Sequence, residues 1–134
     1  MIPATSYDLD VTFTIATEPS YTYKLDTTNH RISGYIDELE AMQQAIYKIV
    51  NTERYQHAIY SWNYGIELQD LIGRSRLYVY SKLKQRISEA LLQDDRINEM
   101  GNFSFEDISK KAVLVKFTAY TIYGEIENER VVNY

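Results

Sequence analysis

The sequence predicts an α+β fold: a small antiparallel or mixed sheet, made from an N-terminal hairpin and a C-terminal hairpin, packed with two main helices. Three observations lead there. Period-2 alternation is confined to the two ends of the chain, helical periodicity occupies the middle, and the order strand, strand, helix, connector, helix, strand, strand keeps the two classes apart. A chain of 134 residues suffices for one domain that buries about two-thirds of its unfolded surface.

Residues 1–20 are expected as an extended N-terminal arm. Leu9, Val11, Phe13 and Ile15 alternate with Asp10, Thr12 and Thr14 in strand fashion, and Glu18-Pro19-Ser20 breaks the run. Tyr21, Tyr23 and Leu25 then alternate with Thr22, Lys24 and Asp26, and the polar turn 27–30 leads into Arg31–Ile36, giving a hairpin. From Asp37 the period changes. Leu39, Met42, Ala45, Ile46, Ile49 and Val50 recur three and four apart, which stacks them on one helical face, with Asp37 as N-cap and Glu40 as its capping-box partner. This helix is expected to run to Asn51 or Arg54.

Residues 55–68 read as an irregular, Tyr-rich connector, and a short helix over Glu67–Ile72 is expected to stop at Gly73. The second long helix carries Leu77, Tyr80, Leu83, Ile87, Ala90 and Leu91 as a stripe, with Lys82, Arg86 and Glu89 facing away. Two strands follow, Arg96–Asp107 and Ala112–Gly124, joined by Ile108-Ser109-Lys110-Lys111. The single domain is therefore expected over 21–124, with 125–134 as a polar C-terminal tail.

Composition narrows the function. The chain has no cysteine and two histidines, His30 and His57, which excludes disulfide, zinc-ribbon, iron–sulfur and cysteine-nucleophile chemistry and gives no basis for a metal site. No apolar run approaches a membrane span, and the start Met1-Ile2-Pro3-Ala4-Thr5 has no signal-peptide character. Residues 1–40 carry net charge −5, residues 41–93 net +3 and residues 94–134 net −3. That balance argues against nucleic acid, which needs a concentrated basic footprint. Thirteen tyrosines against four phenylalanines and one tryptophan suit half-buried strands and contact surfaces equally.

Candidate chemistry is sparse. Glu53, Glu67 and Asp70 lie in or near the connector, and a glycosidase needs two carboxyl groups about 5 to 9.5 Å apart with one kept protonated. His57, Ser61 and Asp70 lack a nucleophile elbow, and no Walker A or dinucleotide-binding glycine motif occurs, so no cofactor is expected. The connector itself is more informative, because an adjacent Glu53-Arg54 pair sits among Tyr55, Tyr60, Trp62 and Tyr64. Arg54 can lock this loop internally through a carboxylate or anchor a partner. Gly65 after Asn63-Tyr64 supplies a positive φ.

Six strings together carry a family resemblance: Lys24-Leu25-Asp26, Gly34, Gln44-Ala45-Ile46, Asn51-Thr52-Glu53-Arg54-Tyr55, Tyr60-Ser61-Trp62-Asn63-Tyr64-Gly65 and Leu71-Ile72-Gly73. From about Tyr21 to Gly124 the chain resembles the contractile-tail baseplate wedge, or sheath-initiator, family, in the branch found in tail modules of Gram-positive phages and prophages. Glu53, Arg54, Tyr64 and Gly65 match the wider family's pattern, whereas its proline and the glycine before Glu are missing.

The resemblance implies a non-enzymatic virion structural protein of a phage tail or tail-like particle, made in the bacterial host cytoplasm. It implies six copies around the tube or hub, contacts with other wedge proteins and the tail sheath protein, and neither nucleic acid nor membrane as partner. The wedge contact is expected at Glu53, Arg54, Tyr55, Trp62, Tyr64 and Gly65. The sheath contact, made by pairing on a strand edge, is expected on the final hairpin and the termini, at Val113, Val115, Phe117, Tyr120 and Tyr123, with the arm at Leu9–Ile15 and the tail at Arg130–Tyr134 as the natural strand donors or acceptors. Two alternatives remain at this point: a peptidoglycan-cleaving muramidase of the tail, and a tail-assembly chaperone.

Overall fold

The computed structural model describes residues 19–134 together with Thr14, Ala16 and Thr17. The expected strand at Leu9–Ile15, within the 1–20 arm, falls outside the described residues except for Thr14. Strands β1 (Thr22–Asp26) and β2 (Arg31–Ile36) form one antiparallel hairpin. Helix α1 (Glu38–Val50) follows, then the connector and a 3-10 turn at Gln69–Leu71, then helix α2 (Arg76–Leu91). Strands β3 (Ile97–Ser109), β4 (Ala112–Thr121) and β5 (Gly124–Asn133) make a second antiparallel sheet with β4 in the centre. The fold is α+β as predicted, with both sheets antiparallel.

Each boundary has a local cause. Asp37 caps α1, its carboxylate accepting from the Glu38 amide at 2.8 Å, and Ser20 donates to the same carboxylate. Glu40 pairs with Lys24 at 3.4 Å, so it ties the helix to β1. Gln44 adds a second tie, accepting from the Leu25 amide at 2.7 Å and donating to the Tyr23 carbonyl at 2.8 Å. Ser75 caps α2.

The core lies between the two helices and one face of the three-stranded sheet, with Met42, Ile46, Leu83, Ile87, Leu91, Val113, Phe117 and Ile126 at most 2% exposed. Side chains of this size contribute about 1.5–3 kcal/mol each on full burial. The stripe of α2 differs at its start: Val79 is fully buried, whereas Leu77 is 82% exposed in the first turn.

The C-terminal segment is a correction. Residues 125–134, expected as a polar tail outside the domain, form β5 and pair with β4 over ten residues without a register shift. Ile126 and Val132 are buried on the core side, and Tyr134 is 7% exposed. Asn128 and Arg130 occupy the intervening inward positions, which hides the period-2 pattern in the sequence.

Candidate functional site: a braced connector and two sheet borders

The connector closes on itself at its base. Glu53 and Ile66 form a parallel bridge; the Ile66 amide donates to the Thr52 carbonyl at 2.9 Å and the Arg54 amide to the Ile66 carbonyl at 3.1 Å. This approach needs glycine at 65. Its φ is +91°, and a Cβ there would stand 2.6 Å from the Thr52 carbonyl oxygen.

The two charged residues of the string reinforce that closure. Glu53 Oε1 accepts from the amides of Leu68 and Gln69 at 2.9 and 3.1 Å, which holds the start of the 3-10 turn. Arg54, with a side chain only 10% exposed, donates to the Gly65 carbonyl at 3.3 Å and reaches Glu89 of α2 at 3.5 Å. Of the two uses of Arg54 left open by the sequence, the internal brace is therefore present. Arg86 of α2 clasps the other end, donating to the Glu67 carbonyl at 2.9 Å and forming a bidentate pair with Asp70.

Arg86 and Glu89 were expected only to face away from the apolar stripe of α2, and Arg130 only as part of the tail; their bracing contacts with the connector, or position beside it, were not expected. The signal available for the first two was their spacing of three on one helical face. Arg130, on the core side of β5, has its Nη1 buried without a hydrogen-bond partner among the described residues. Burial pulls its guanidinium below the ordinary arginine range, and the negative field of Glu53 opposes this.

Above this base the aromatic side chains form a rim. Tyr55, at φ +67°, meets Trp62 edge-on with ring centroids 6.0 Å apart, and Tyr60 stacks on Tyr64 at 4.4 Å. Tyr64 is half-buried, and desolvation, with Tyr60 and Asp94 nearby, raises its hydroxyl above the usual tyrosine value. Ile59 and Trp62 are 87% and 81% exposed, and Tyr55 is exposed as well. Of the six residues expected to meet a wedge protein, Glu53, Arg54 and Gly65 thus build the base, Tyr64 supports it, and Tyr55 and Trp62 face solvent.

The expected sheath-contact residues are placed differently. Val113, Val115 and Phe117 lie on β4, are buried against the helices, and sit on a strand paired on both sides. Tyr120 points to the opposite face, where its hydroxyl accepts from Asn102 at 3.1 Å, and Tyr123 packs in the turn before β5. A central strand has no border to offer. The outer borders belong to β3 and β5.

Two of the three carboxylates considered for hydrolysis are committed elsewhere: Glu53 to two amides and Asp70 to Arg86, whose hydrogen bonds hold the Asp70 carboxyl below its ordinary value. A carboxyl lowered in this way is ionised at neutral pH and is a poor general acid. Among the described residues no group of His, Asp and Glu could hold a metal ion, and no helix is long and apolar enough to cross a membrane.

The structure defines an α+β chain with a braced aromatic connector and two antiparallel sheets, and comparison with known proteins supplies the family. The sequence profile described as "contractile injection system sheath initiator" matches residues 16–124, so the chain belongs to the contractile injection system sheath initiator family. It is also 40% identical over 119 residues to the phage-like element PBSX protein XkdS of Bacillus subtilis (strain 168), an alignment covering 86% of this chain and 84% of that protein. The chain is thus a phage-tail structural component, and membership implies interaction with sheath and baseplate parts.

Proposed function

We propose that this protein sits in the baseplate of a phage tail or tail-like particle, links the wedge proteins to the sheath and starts sheath polymerisation by pairing on a strand edge. The role is mechanical and breaks no substrate bond. The observation that carries it is the three-stranded sheet, whose two outer strands, among the described residues, each pair with β4 alone. A strand border with unpaired amides and carbonyls is a template for another chain's strand. The rim at Tyr55 and Trp62 offers a second contact suited to a wedge protein, since exposed aromatic side chains are favoured anchors.

Deleting the chain from a producing strain is expected to leave baseplates without sheaths, and mass spectrometry of purified particles is expected to find the chain. Sheaths of ordinary length without it would overturn the reading. Its absence from purified particles would replace it with the chaperone alternative.

A further inference from the structure

Resting on that reading, we infer that the border used is the outer edge of β5, and that the strand it takes is basic at alternate positions. The two borders are not equivalent. β3 meets β4 with register shifts at three places, between Ile97 and Glu99, Gly101 and Ser104, and Asp107 and Ser109, and Asn102 has a φ of +52°. Such bulges bend a strand and interrupt the straight row of groups a partner needs. β5 runs ten residues in unbroken register.

The direction of each peptide group in β5 follows from its pairing. The Tyr134 amide donates to the Lys111 carbonyl at 2.9 Å, so even-numbered residues point toward β4. In an antiparallel ladder the alternate residues then turn both their N–H and C=O away. These are Glu125, Glu127, Glu129, Val131 and Asn133. The Glu129 amide bonds instead to the Asn128 side chain at 2.7 Å, as expected of a group outside the ladder. No other described backbone group meets this row. Among the described residues this border therefore offers donors at 125, 127, 131 and 133, with a capped position between them.

Charge selects the occupant. Glu125, Glu127 and Glu129 project together from the exposed face, with Lys116 of β4 opposite Glu129. A second copy adding its own β5 edge to edge would bring two glutamate rows into register, and directly opposed like charges destabilise a strand pair. A strand with Lys or Arg at every second position reverses the sign of each of those contacts. The occupant is thus an extended basic segment of a different chain.

Three measurements test this. In the free full-length chain, amide hydrogen exchange at Glu125, Glu127 and Val131 is expected to be fast; slow exchange there would mean the chain covers its own border and would overturn the inference. Val131→Pro removes an outward amide and no ladder bond, so the isolated protein is expected to melt near its normal temperature. Particles carrying it are expected to show at least a tenfold drop in sheathed tails. Normal sheathing would overturn the choice of β5. If sheaths also form when the chain is deleted, the nucleation reading falls too; if they require the chain but tolerate Val131→Pro, only the edge is wrong. Replacing Glu125, Glu127 and Glu129 together by Lys leaves the backbone row intact and reads the charge requirement even if the proline variant misfolds. Fewer sheaths are expected, and unchanged sheathing would overturn the basic-strand assignment.

Discussion

The base and the rim of the connector are built from neighbouring residues of one string, yet they obey opposite rules. At the base the charged pair is turned inward: Glu53 accepts from two amides, Arg54 donates to a carbonyl and reaches Glu89, and Gly65 permits a close backbone approach. At the rim Tyr55, Ile59 and Trp62 leave most of their apolar surface in water. The contrast separates residues that keep a loop's shape from residues that use it. A charged pair such as Glu53-Arg54 attracts attention as a contact site, but its partners are already present in the same chain.

The largest effect expected from breaking this contrast is at Gly65. Gly65→Ala places a Cβ against the Thr52 carbonyl in a left-handed conformation, and neither obstacle is a flexible side-chain end. A loss of about 3 kcal/mol is expected, a fall of roughly 10 °C in melting temperature for a chain of this size. An unchanged melting curve would show that the base is not closed as described. Next comes Glu53→Ala, which leaves the amides of Leu68 and Gln69 without their acceptor and removes the negative charge near Arg130. The expected cost is about 2 kcal/mol by denaturant unfolding. Glu53→Gln keeps an acceptor oxygen and is expected to recover about half of that cost. Equal losses in the two variants would assign the effect to charge alone.

How much of this was legible in the sequence depends on whether the signal was local. The hairpin, both long helices, the Asp37 cap and the positive φ at Gly65 follow from spacing and from residue types that act on their own neighbours. β5 was not legible, because two of its four inward positions between 126 and 132, Asn128 and Arg130, are polar, and the alternation survives only in burial. The period-2 pattern of Val113, Val115 and Phe117 correctly marked a strand but carried no information on whether that strand was central or outer. That distinction is made by β5, fifteen residues further on, and it moves the available border away from those three residues. Likewise, the choice between brace and anchor at Arg54 turns on Glu89 of α2, thirty-five residues away.

The smallest effect on stability, and the sharpest test of the contrast, is at Trp62. With 81% of its surface exposed and one edge-on contact to Tyr55, Trp62→Ala is expected to change stability by less than about 0.5 kcal/mol. A larger loss would mean the rim is a structural part of the fold, which would erase the distinction from the base. If the rim is the wedge contact, the same variant is expected to reduce the number of copies retained per purified baseplate several-fold, measured by quantitative mass spectrometry, while the isolated protein melts normally. Gly65→Ala cannot give that combination, because it lowers stability and incorporation together. Normal incorporation of Trp62→Ala would place the wedge contact elsewhere on the molecule.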